Sequence, residues 1–350
     1  MSAPAALAVS TPTPGTTDSG PDVAALPRAQ RTLTVRVDAT RRAAESVTAF
    51  ELRAVDGGSL PAWEPGAHLD VHLPSGLVRQ YSLCGDPRDL ASYRIAVLAD
   101  AGGRGGSLEV HRELRAGERL EIGLPRNNFP LVDSDRYVFV AGGIGITPML
   151  AMARQAARDG KDWRLVYGAR TAEHFAFASE LLSLEGAAER VSLIANDTDG
   201  NADLGALVSD SHGAQVYCCG PPGLMGALTA LMEGAGRSQD LHLELFSPLA
   251  APPAAQEGDA PAGGFTLTLA ASGLQVEVGA EETALAAIRR AGVEHPSSCE
   301  MGFCGTCEVR VVEGEVDHRD DLYTESERQS GGCMLVCVSR AKGCALTIQA

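Results

Sequence analysis

The stretch Cys-Glu-Met-Gly-Phe-Cys-Gly-Thr-Cys occupies residues 299–307, and Cys337 follows it thirty positions further on. Four residues separate Cys299 from Cys304, and two separate Cys304 from Cys307. One tight loop that supplies three thiolates, with a distant strand that supplies the fourth, is the plant-type arrangement for a [2Fe–2S] cluster. The spacing therefore predicts an iron–sulfur domain at the carboxyl end of the chain.

Two glycines and a further cysteine bear on this interpretation. Gly302 and Gly305 provide backbone free of Cβ strain, with N–H groups that can point at sulfur. A structural zinc site is the alternative, but zinc sites usually pair two short Cys-x-x-Cys or His knuckles. Cys333 is an alternative fourth ligand, although it lies four residues closer to the loop than the preferred one. The predicted ligands are Cys299, Cys304, Cys307 and Cys337.

The overall composition limits the classes of function that the chain can have. Its 350 residues suggest two or three domains, and a hydrophobic content of 45% is enough for real cores. The net charge of −16 argues against nucleic-acid binding, which needs basic patches. Acidic faces serve solubility or suit a basic protein partner. No apolar run approaches the roughly 20 residues that span a bilayer, so no membrane partner is expected.

The cysteine count and the amino-terminal residues indicate the compartment. Nine cysteines, an odd number, in a chain whose start lacks the basic and apolar regions of a signal peptide, do not suggest a disulfide scaffold. Residues 1–28, rich in Ala, Pro, Thr, Ser and Gly, are predicted to form a disordered tail. We therefore expect a cytoplasmic protein.

Residues 29–132 contain short stretches of alternating polarity between turn residues, which predicts an antiparallel β-barrel. The predicted strands are Leu33–Val37, Val47–Leu52, His68–His72, Val78–Leu83, Tyr93–Val97 and Leu120–Ile122. Within the fourth strand, Arg79 can grip a phosphate and Tyr81 can cover an aromatic ring. The glycine-rich run 102–107 precedes a predicted helix Leu108–Leu114, and a helix amino terminus favours an anion. Alone, each of these two motifs is weak evidence.

Residues 133–248 alternate strands and helices, which predicts a doubly wound parallel sheet. The strand Arg136–Ala141 runs into the glycine turn 142–145 and a helix Met149–Ala157, with Thr147 as the expected N-cap and Pro148 as the first helical residue. The predicted strands that follow are Trp163–Tyr167, Val191–Ile194 and Gln215–Cys219. Their carboxyl ends should form the ligand crevice.

Residues 249–264 show no periodicity and are predicted to be a domain linker. The remainder, residues 265–350, contains a β-hairpin, one helix and two further strands around the cysteine motif. The predicted elements are Phe265–Ala270, Leu274–Val278, Ala284–Ala291, Val309–Val312 and Ala345–Gln349. This arrangement is typical of a β-grasp fold.

Together these motifs resemble those of the phthalate dioxygenase reductase family, within the ferredoxin–NADP reductase superfamily. The resemblance covers about residues 29–350 and rests on five motifs that occur in the family's order. They are Arg79-Gln80-Tyr81-Ser82-Leu83, Gly103-Arg104-Gly105-Gly106-Ser107, Ala141-Gly142-Gly143-Ile144-Gly145-Ile146-Thr147-Pro148, Tyr217-Cys218-Cys219-Gly220-Pro221 and the cysteine quartet. The fold so implied has a flavin-binding barrel, an NAD-binding domain and a ferredoxin domain.

The resemblance implies a role for each motif in the barrel. Arg79 would bind the flavin phosphate, Tyr81 would flank the isoalloxazine ring, and Ser82 would hydrogen-bond near the flavin N5. The residues that hold the same phosphate would be Gly105, Gly106 and Ser107. Because residues 29–132 show no separate adenine-binding signature, we expect FMN rather than FAD.

The resemblance also implies roles in the nucleotide domain. The dinucleotide pyrophosphate would be cradled by Gly143, Gly145 and Thr147. Cys219 would lie beside the nicotinamide, and the stretch His242–Phe246 would close the domain beside the flavin. Glu244 is either an ordinary exposed strand acid or a functional residue. The residues assigned to hydride transfer are Ser82, Cys219, Glu244 and Phe246.

The choice of nucleotide depends on the end of the second strand. A 2′-phosphate needs cationic partners there, whereas a free ribose needs an acceptor or no charge. Arg170 is one possible cation that could bind the adenosine half, and Glu173 lies close enough in sequence to oppose a phosphate. Because strong phosphate sites usually gather more than one cation, NADH is favoured over NADPH.

By the same resemblance, the chain takes hydride from NADH to FMN and passes single electrons through the cluster to a separate protein. The resemblance implies that the acceptor is a Rieske-type non-haem iron oxygenase, of the aromatic dioxygenase or demethylase type. It should be a separate protein because the chain has no Rieske or mononuclear iron motif. We expect the reductase itself to be a monomer. The alternatives are an electron-carrier module with decayed nucleotide sites, or a free NADH:flavin reductase.

Overall fold

The computed structural model describes residues 32–103, 105–246, 264–297, 299–320, 322–323, 325–330 and 332–350. The predicted tail, the predicted linker apart from Gly264, and Arg104 lie outside these residues.

The first unit is an antiparallel barrel whose strands follow the order β4-β3-β6-β1-β2-β5. Its elements are β1 (Thr32–Ala44), β2 (Val47–Ala54), β3 (Ala67–His72), β4 (Val78–Ser82), β5 (Tyr93–Leu98), α1 (Gly106–Glu113), β6 (Arg119–Gly123) and β7 (Arg126–Asn127). Inward-facing side chains such as Leu52, Leu69 and Ile122 are fully buried. The sheet closes where the amide of Cys84, just after β4, donates to the carbonyl of Arg94 on β5 at 2.9 Å.

The second unit is a parallel sheet of order β10-β9-β8-β11-β12 with helices packed on it. Its elements are β8 (Arg136–Gly142), α2 (Ile146–Arg158), β9 (Asp162–Ala169), α3 (Ala178–Leu182), α4 (Ala187–Arg190), β10 (Val191–Ala195), α5 (Asn196–Asp199), α6 (Leu204–Asp210), β11 (Gln215–Cys219), α7 (Pro222–Gly234) and β12 (Leu241–Glu244). Strand order reverses between β8 and β11, so the crevice above these two strands is the expected ligand site of a doubly wound sheet.

The expected start of α2 is wrong. Residues 143–145 form a turn of 3₁₀ helix, and α2 begins at Ile146 with Gly145 at its N-cap. Thr147 therefore lies inside the first turn, where its hydroxyl donates to the carbonyl of Ile144 at 3.0 Å. Pro148 is tolerated because the first-turn N–H groups have no intrahelical partner.

The third unit is a β-grasp sheet of order β14-β13-β19-β15-β17, with β16 paired to β18. Its elements are β13 (Phe265–Leu269), β14 (Leu274–Val278), α8 (Ala284–Arg290), β15 (Glu308–Glu313), β16 (Val316–Asp317), α9 (Glu325–Ser330), β17 (Cys333–Leu335), β18 (Arg340–Ala341) and β19 (Ala345–Ile348). β13 and β19 are parallel, whereas the other neighbours are antiparallel. The predicted three-part fold class is confirmed.

The position of Cys337 corrects one expectation. It does not lie on a strand but in the turn that follows β17. The amides of Val338 and Ser339 both donate to the carbonyl of Leu335, which folds the chain back at this point.

In the described part of the chain the longest helices, α2 and α7, have 13 residues each. None of the helices described is both long and apolar enough to span a bilayer.

Candidate functional site

A cavity of about 890 Å³ lies where the three units meet. Its walls include Arg79 and Ser82 of the barrel, Thr147 and Glu244 of the parallel sheet, and Cys304 of the cysteine loop. The volume lies within the range of ligand and cofactor sites. Residues that sequence reasoning assigned to three separate motifs are therefore brought to one space.

The barrel wall of the cavity is strand β4, which stands at one end of the strand order. Residues 79–82 all line the cavity, although alternate residues of a strand point to opposite sides. Arg79 packs so closely on Gly106 that a Cβ added there would lie 2.5 Å from the Arg79 Nε. The guanidinium thus meets the amino terminus of α1, beside Ser107, and this combination fits a bound phosphate group.

Gly105 precedes α1 with a left-handed backbone, at a φ of 82°. A residue with a Cβ disfavours this conformation, which explains a glycine at the entry to the helix. Tyr81 lines the same cavity, and burial raises the pKa of its hydroxyl above the ordinary value. The tyrosine is therefore a neutral ring at neutral pH, suited to packing against a flat apolar ligand.

Ser82 and Glu244 join the barrel to the parallel sheet across the cavity. The Ser82 hydroxyl donates to Oε2 of Glu244 at 3.3 Å. Burial raises the pKa of Glu244 to about 8, so its carboxyl group is largely protonated at neutral pH. Phe246, two residues further on, also lines the cavity and is 39% exposed.

Cys219 lies at the carboxyl end of β11 and is fully buried. It is not among the residues that line the cavity. Burial raises the pKa of its thiol well above the ordinary value, so the side chain is an uncharged group behind the cavity wall. The structure thus brings Ser82, Glu244 and Phe246 to the cavity surface and leaves Cys219 one layer deeper.

The glycine turn after β8 packs against the end of β11. A Cβ at Gly145 would lie 2.1 Å from the carbonyl oxygen of Cys219, and one at Gly142 would lie 2.5 Å from Cδ of Pro221. Gly143 adopts a positive φ of 53°. Because no side chain fits here, the backbone of the turn stays open above the point where strand order reverses, which is where a pyrophosphate binds in such sheets.

The end of β9 carries the residues expected to select the nucleotide. Arg170 is exposed, and its carbonyl accepts from the amide of Asp197 at the start of the neighbouring helix α5. The Thr171 hydroxyl donates to Glu173 at 2.6 Å, which lowers the pKa of this carboxyl group. Asp199 also belongs to α5, so acidic residues follow both strand ends, an environment that disfavours a 2′-phosphate.

The four cysteines predicted as ligands are all buried, three in the loop 299–307 and Cys337 in the turn after β17. The side chains of Cys299 and Cys304 are in contact, as are those of Cys307 and Cys337. Among the described residues, no three His, Cys, Asp or Glu side chains converge as they would around a single metal ion. Two pairs of thiols instead fit a cluster of two irons, in which each iron takes two protein ligands.

The loop around the cysteines has the backbone that its glycines predicted. Gly302 and Gly305 have positive φ angles of 82° and 72°. A Cβ at Gly302 would lie 2.8 Å from Cγ2 of Val338, so the loop packs tightly on the segment that follows Cys337. Cys333, the alternative ligand, instead contacts Glu308 across the β15–β17 pair.

Sequence reasoning missed the residues that join the barrel to the cysteine loop. Asn128 donates to the carbonyl of Cys304 at 3.1 Å. Gln80 and Arg126 both donate to the hydroxyl of Thr306, at 3.1 and 3.2 Å. The only signal in the sequence is the polar run 126–128 after the last long barrel strand, which does not identify partners 176 and 180 residues away in the chain.

Comparison with known proteins agrees with this arrangement. Residues 139–229 match the oxidoreductase NAD-binding domain, and residues 267–342 match the 2Fe-2S iron-sulfur cluster binding domain. The vanillate O-demethylase oxidoreductase of Pseudomonas sp. (strain HR199 / DSM 7063) is 40% identical over 319 residues, which cover 90% of this chain and 98% of that relative.

Two solved structures extend the comparison. Phthalate dioxygenase reductase, described as a modular structure for electron transfer from pyridine nucleotides to [2Fe-2S], is 36% identical with a TM-score of 0.69, and the match covers 92% of this chain and 99% of that one. An intact type IV self-sufficient cytochrome P450 monooxygenase is 41% identical with a TM-score of 0.81, but the match covers 91% of this chain and only 41% of that longer one.

These similarities confirm the family, the enzyme class and the cofactors that the motifs predicted. The chain therefore belongs to the phthalate dioxygenase reductase family and is an NADH-dependent oxidoreductase that uses FMN and a [2Fe–2S] cluster.

Proposed function

We propose that this chain is the reductase component of a multicomponent oxygenase, and that it delivers single electrons to a separate, Rieske-type non-haem iron oxygenase. The observation that carries the proposal is the single cavity bounded by β4, the nucleotide turn and the cysteine loop. A hydride donor, a flavin and a cluster can be neighbours only where the residues that bind each of them line the same space. The bound cofactors supply the hydride and single-electron chemistry, and the chain positions them.

The phosphate end of the flavin is held, in this proposal, by the guanidinium of Arg79 and by the start of α1. The helix contributes Gly105, Gly106 and Ser107, and Arg79 already lies against Gly106. Tyr81 packs on the flavin ring, and Ser82 with Glu244 provides polar groups at its reactive edge. The half-buried, protonated Glu244 can act as a hydrogen-bond donor there, as its raised pKa allows.

The dinucleotide is held by Gly143, Gly145 and Thr147 above β8, with the exposed Arg170 beside its adenosine half. Cys219 supports the nicotinamide from behind the cavity wall, and its backbone carbonyl packs against the turn at Gly145. Phe246 occupies the cavity wall that a nicotinamide would have to approach. The metal ligands in this proposal are Cys299, Cys304, Cys307 and Cys337.

The nature of the acceptor rests on the relatives. The similarity to a vanillate O-demethylase oxidoreductase supports an oxygenase of the demethylase or aromatic dioxygenase type. The similarity to a self-sufficient cytochrome P450 monooxygenase supports a second candidate, a haem monooxygenase as acceptor. We place the Rieske-type oxygenase first because the demethylase reductase matches over its full length.

The test is anaerobic reduction of purified acceptors by the purified, flavin- and cluster-loaded chain and NADH. A Rieske-type oxygenase encoded near this chain should be reduced at a rate that scales with reductase concentration, and a cytochrome P450 should not. Preferential reduction of the P450 would replace the Rieske assignment with the second candidate. Turnover with free flavin but with neither protein would instead support a free NADH:flavin reductase. Light scattering of the purified reductase without any acceptor should give the mass of one chain.

A further inference from the structure

The contact between the barrel and the cysteine loop is centred on one hydroxyl group, that of Thr306. Gln80 of β4 donates to it at 3.1 Å, and Arg126 of β7 donates to it at 3.2 Å. The sulfur of Cys304 lies 3.3 Å from the same oxygen. Thr306 thus stands between two donors of the barrel and one of the predicted cluster ligands.

Both donors are held by the same carboxylate. Asp70 of β3 accepts from Arg126 at 2.7 Å through one oxygen and from Gln80 at 3.1 Å through the other. The Asp70 side chain is only 14% exposed, and that of Arg126 is 38% exposed. Because Asp70 is anchored on a barrel strand, the two donors point at Thr306 as a fixed pair.

The number of hydrogen-bond sites on a hydroxyl group then fixes the direction of its hydrogen. A threonine hydroxyl has two acceptor lone pairs and one hydrogen. Gln80 and Arg126 take up both lone pairs, so the hydrogen is left to point at the sulfur of Cys304. A cysteine that binds iron is a thiolate and has no hydrogen of its own, so the Thr306 hydroxyl must be the donor in that pair.

We propose that Thr306 is a positioning residue through which the flavin barrel raises the reduction potential of the cluster. The proposal rests on the assignment of Cys304 as a cluster ligand. Hydrogen bonds to the sulfur atoms and nearby charge set the potential of such clusters. A donor at Cys304 stabilises the reduced, more negative cluster, and Arg126, which is ion-paired with Asp70, supports this donor by holding the Thr306 oxygen.

The barrel and the cluster are coupled by this contact. Since both donors belong to the barrel, the orientation of the Thr306 hydroxyl depends on the two units staying together. Asn128 adds a third hydrogen bond across the same boundary, to the carbonyl of Cys304. The potential of the cluster is therefore a property of the assembled chain.

The test compares Thr306→Val with Thr306→Ser in the full-length, cofactor-loaded protein. The cluster's midpoint potential is measured by an equilibrium redox titration followed by low-temperature EPR, with the spin count as a measure of cluster content. Thr306→Val should shift the one-electron equilibrium against cluster reduction about tenfold, which is about 59 mV. Thr306→Ser keeps the hydroxyl and should keep the wild-type potential. An unchanged potential in Thr306→Val, or an equal shift in Thr306→Ser, would overturn the proposal.

A second variant covers the case in which Thr306→Val loses its cluster. Arg126→Met leaves the cysteine loop intact and should also lower the cluster potential, and Arg119→Met, an exposed position on β6, should not. In the double variant Thr306→Val/Arg126→Met the shift should be smaller than the sum of the single shifts, because Arg126 acts through Thr306. Equal shifts for Arg126→Met and Arg119→Met would show that general charge loss is the cause and would contradict the proposal. A wild-type cluster that gives its EPR signal after reduction with dithionite but not with NADH would refute the proposed function instead.

Discussion

Glu244 occupies a setting that disfavours the charged form of its carboxyl group. It lies at the end of β12, in the wall of the central cavity, with Ser82 as its hydrogen-bonding partner. Burial raises its pKa from the ordinary 4.5 to about 8. A carboxyl group that stays protonated at neutral pH can donate a hydrogen bond to a ligand, and this property separates it from an exposed strand acid.

The variant Glu244→Gln should remove a pH dependence of stability. The folded protein holds the Glu244 proton more tightly than the unfolded chain, so the free energy of unfolding falls as the pH rises from 4.5 through about 8. Glutamine cannot ionise. The melting temperature of the variant should therefore rise relative to that of the wild type as the pH increases across this window. Thermal unfolding at a series of pH values measures the difference. If the difference in melting temperature between Glu244→Gln and the wild type stays constant with pH, Glu244 does not hold its proton as assigned.

A second prediction at this scale concerns the fourth cluster ligand. Cys337→Ala should abolish the visible absorbance of the cluster, because one iron would be left with a single protein thiolate, while NADH should still bleach the flavin. Cys333→Ala, a matched change four residues earlier, should leave both signals intact because this thiol contacts Glu308. Loss of the cluster in Cys333→Ala, with its retention in Cys337→Ala, would reverse the ligand assignment.

Residues that act through short-range spacing could be predicted from the sequence. The three cysteines of residues 299–307 and the positive φ angles of Gly302 and Gly305 are of this kind, because a loop of nine residues constrains them directly. Thr306 lies inside the same motif, yet its role could not be predicted. Its partners Gln80 and Arg126 are 226 and 180 residues away, and only the packing of two units brings them together.

At the scale of single elements, the strand–turn–helix unit of β8 and α2 shows how closely backbone segments approach each other. The turn is held against the end of β11, where a Cβ at Gly145 would nearly coincide with the carbonyl of Cys219, at 2.1 Å. A glycine is therefore required there by space, although its φ of −60° is ordinary.

Gly145→Ala should push the turn away from β11. Overpacking of this kind costs about 1–3 kcal/mol, and we expect the Kd for NADH to rise about tenfold while the flavin spectrum is unchanged. Gly226→Ala on α7 is the control, since a Cβ meets nothing within 4 Å at that position. Gly226→Ala should stabilise α7 by about 1 kcal/mol and leave the Kd for NADH unchanged. Equal NADH affinity in both variants would contradict the tight approach.

Elements as such were predictable, but their ends were not. Apolar periodicity predicted β8 and α2. A short 3₁₀ turn, however, places the start of α2 before Thr147. The Thr147 hydroxyl therefore donates to the carbonyl of Ile144 and does not cap the helix. Similarly, Cys337 follows a short strand rather than lying on it. Both differences arise because local turns satisfy backbone groups in ways that side-chain patterns do not report.

At the scale of the whole molecule, a cluster of charged side chains connects the barrel to the unit of the parallel sheet. Glu180 of α3 accepts two hydrogen bonds from Arg94 of β5, at 3.0 and 2.7 Å, and a further one from Arg154 of α2. The two arginine side chains are each 14% exposed. Arg94 also packs over the ring of Phe177, at 4.9 Å from its centre. The relative position of the two units, and with it the shape of the cavity, depends on this cluster.

Glu180→Ala should leave two partly buried guanidinium groups without their carboxylate and lower the free energy of unfolding by about 3 kcal/mol. Hydride transfer from NADH to the flavin should also slow, because the units would no longer be held in register. Asp38→Ala breaks an exposed cluster with Arg36 and Arg53 and is expected to change stability little. Denaturant unfolding and stopped-flow bleaching of the flavin test the two effects, and similar stability losses in both variants would contradict this account. The cluster could not be predicted, since Arg94 and Glu180 are 86 residues apart and follow no periodic pattern.

The central claim is that electrons pass from NADH through the flavin to the cluster within one chain. Anaerobic titration of the full-length, cofactor-loaded protein with NADH, followed by visible absorbance and low-temperature EPR on the same samples, tests it most directly. The flavin should bleach, and the EPR signal of a reduced [2Fe–2S] cluster should appear, as NADH is added. Bleaching of the flavin with a cluster that stays oxidised throughout would contradict it.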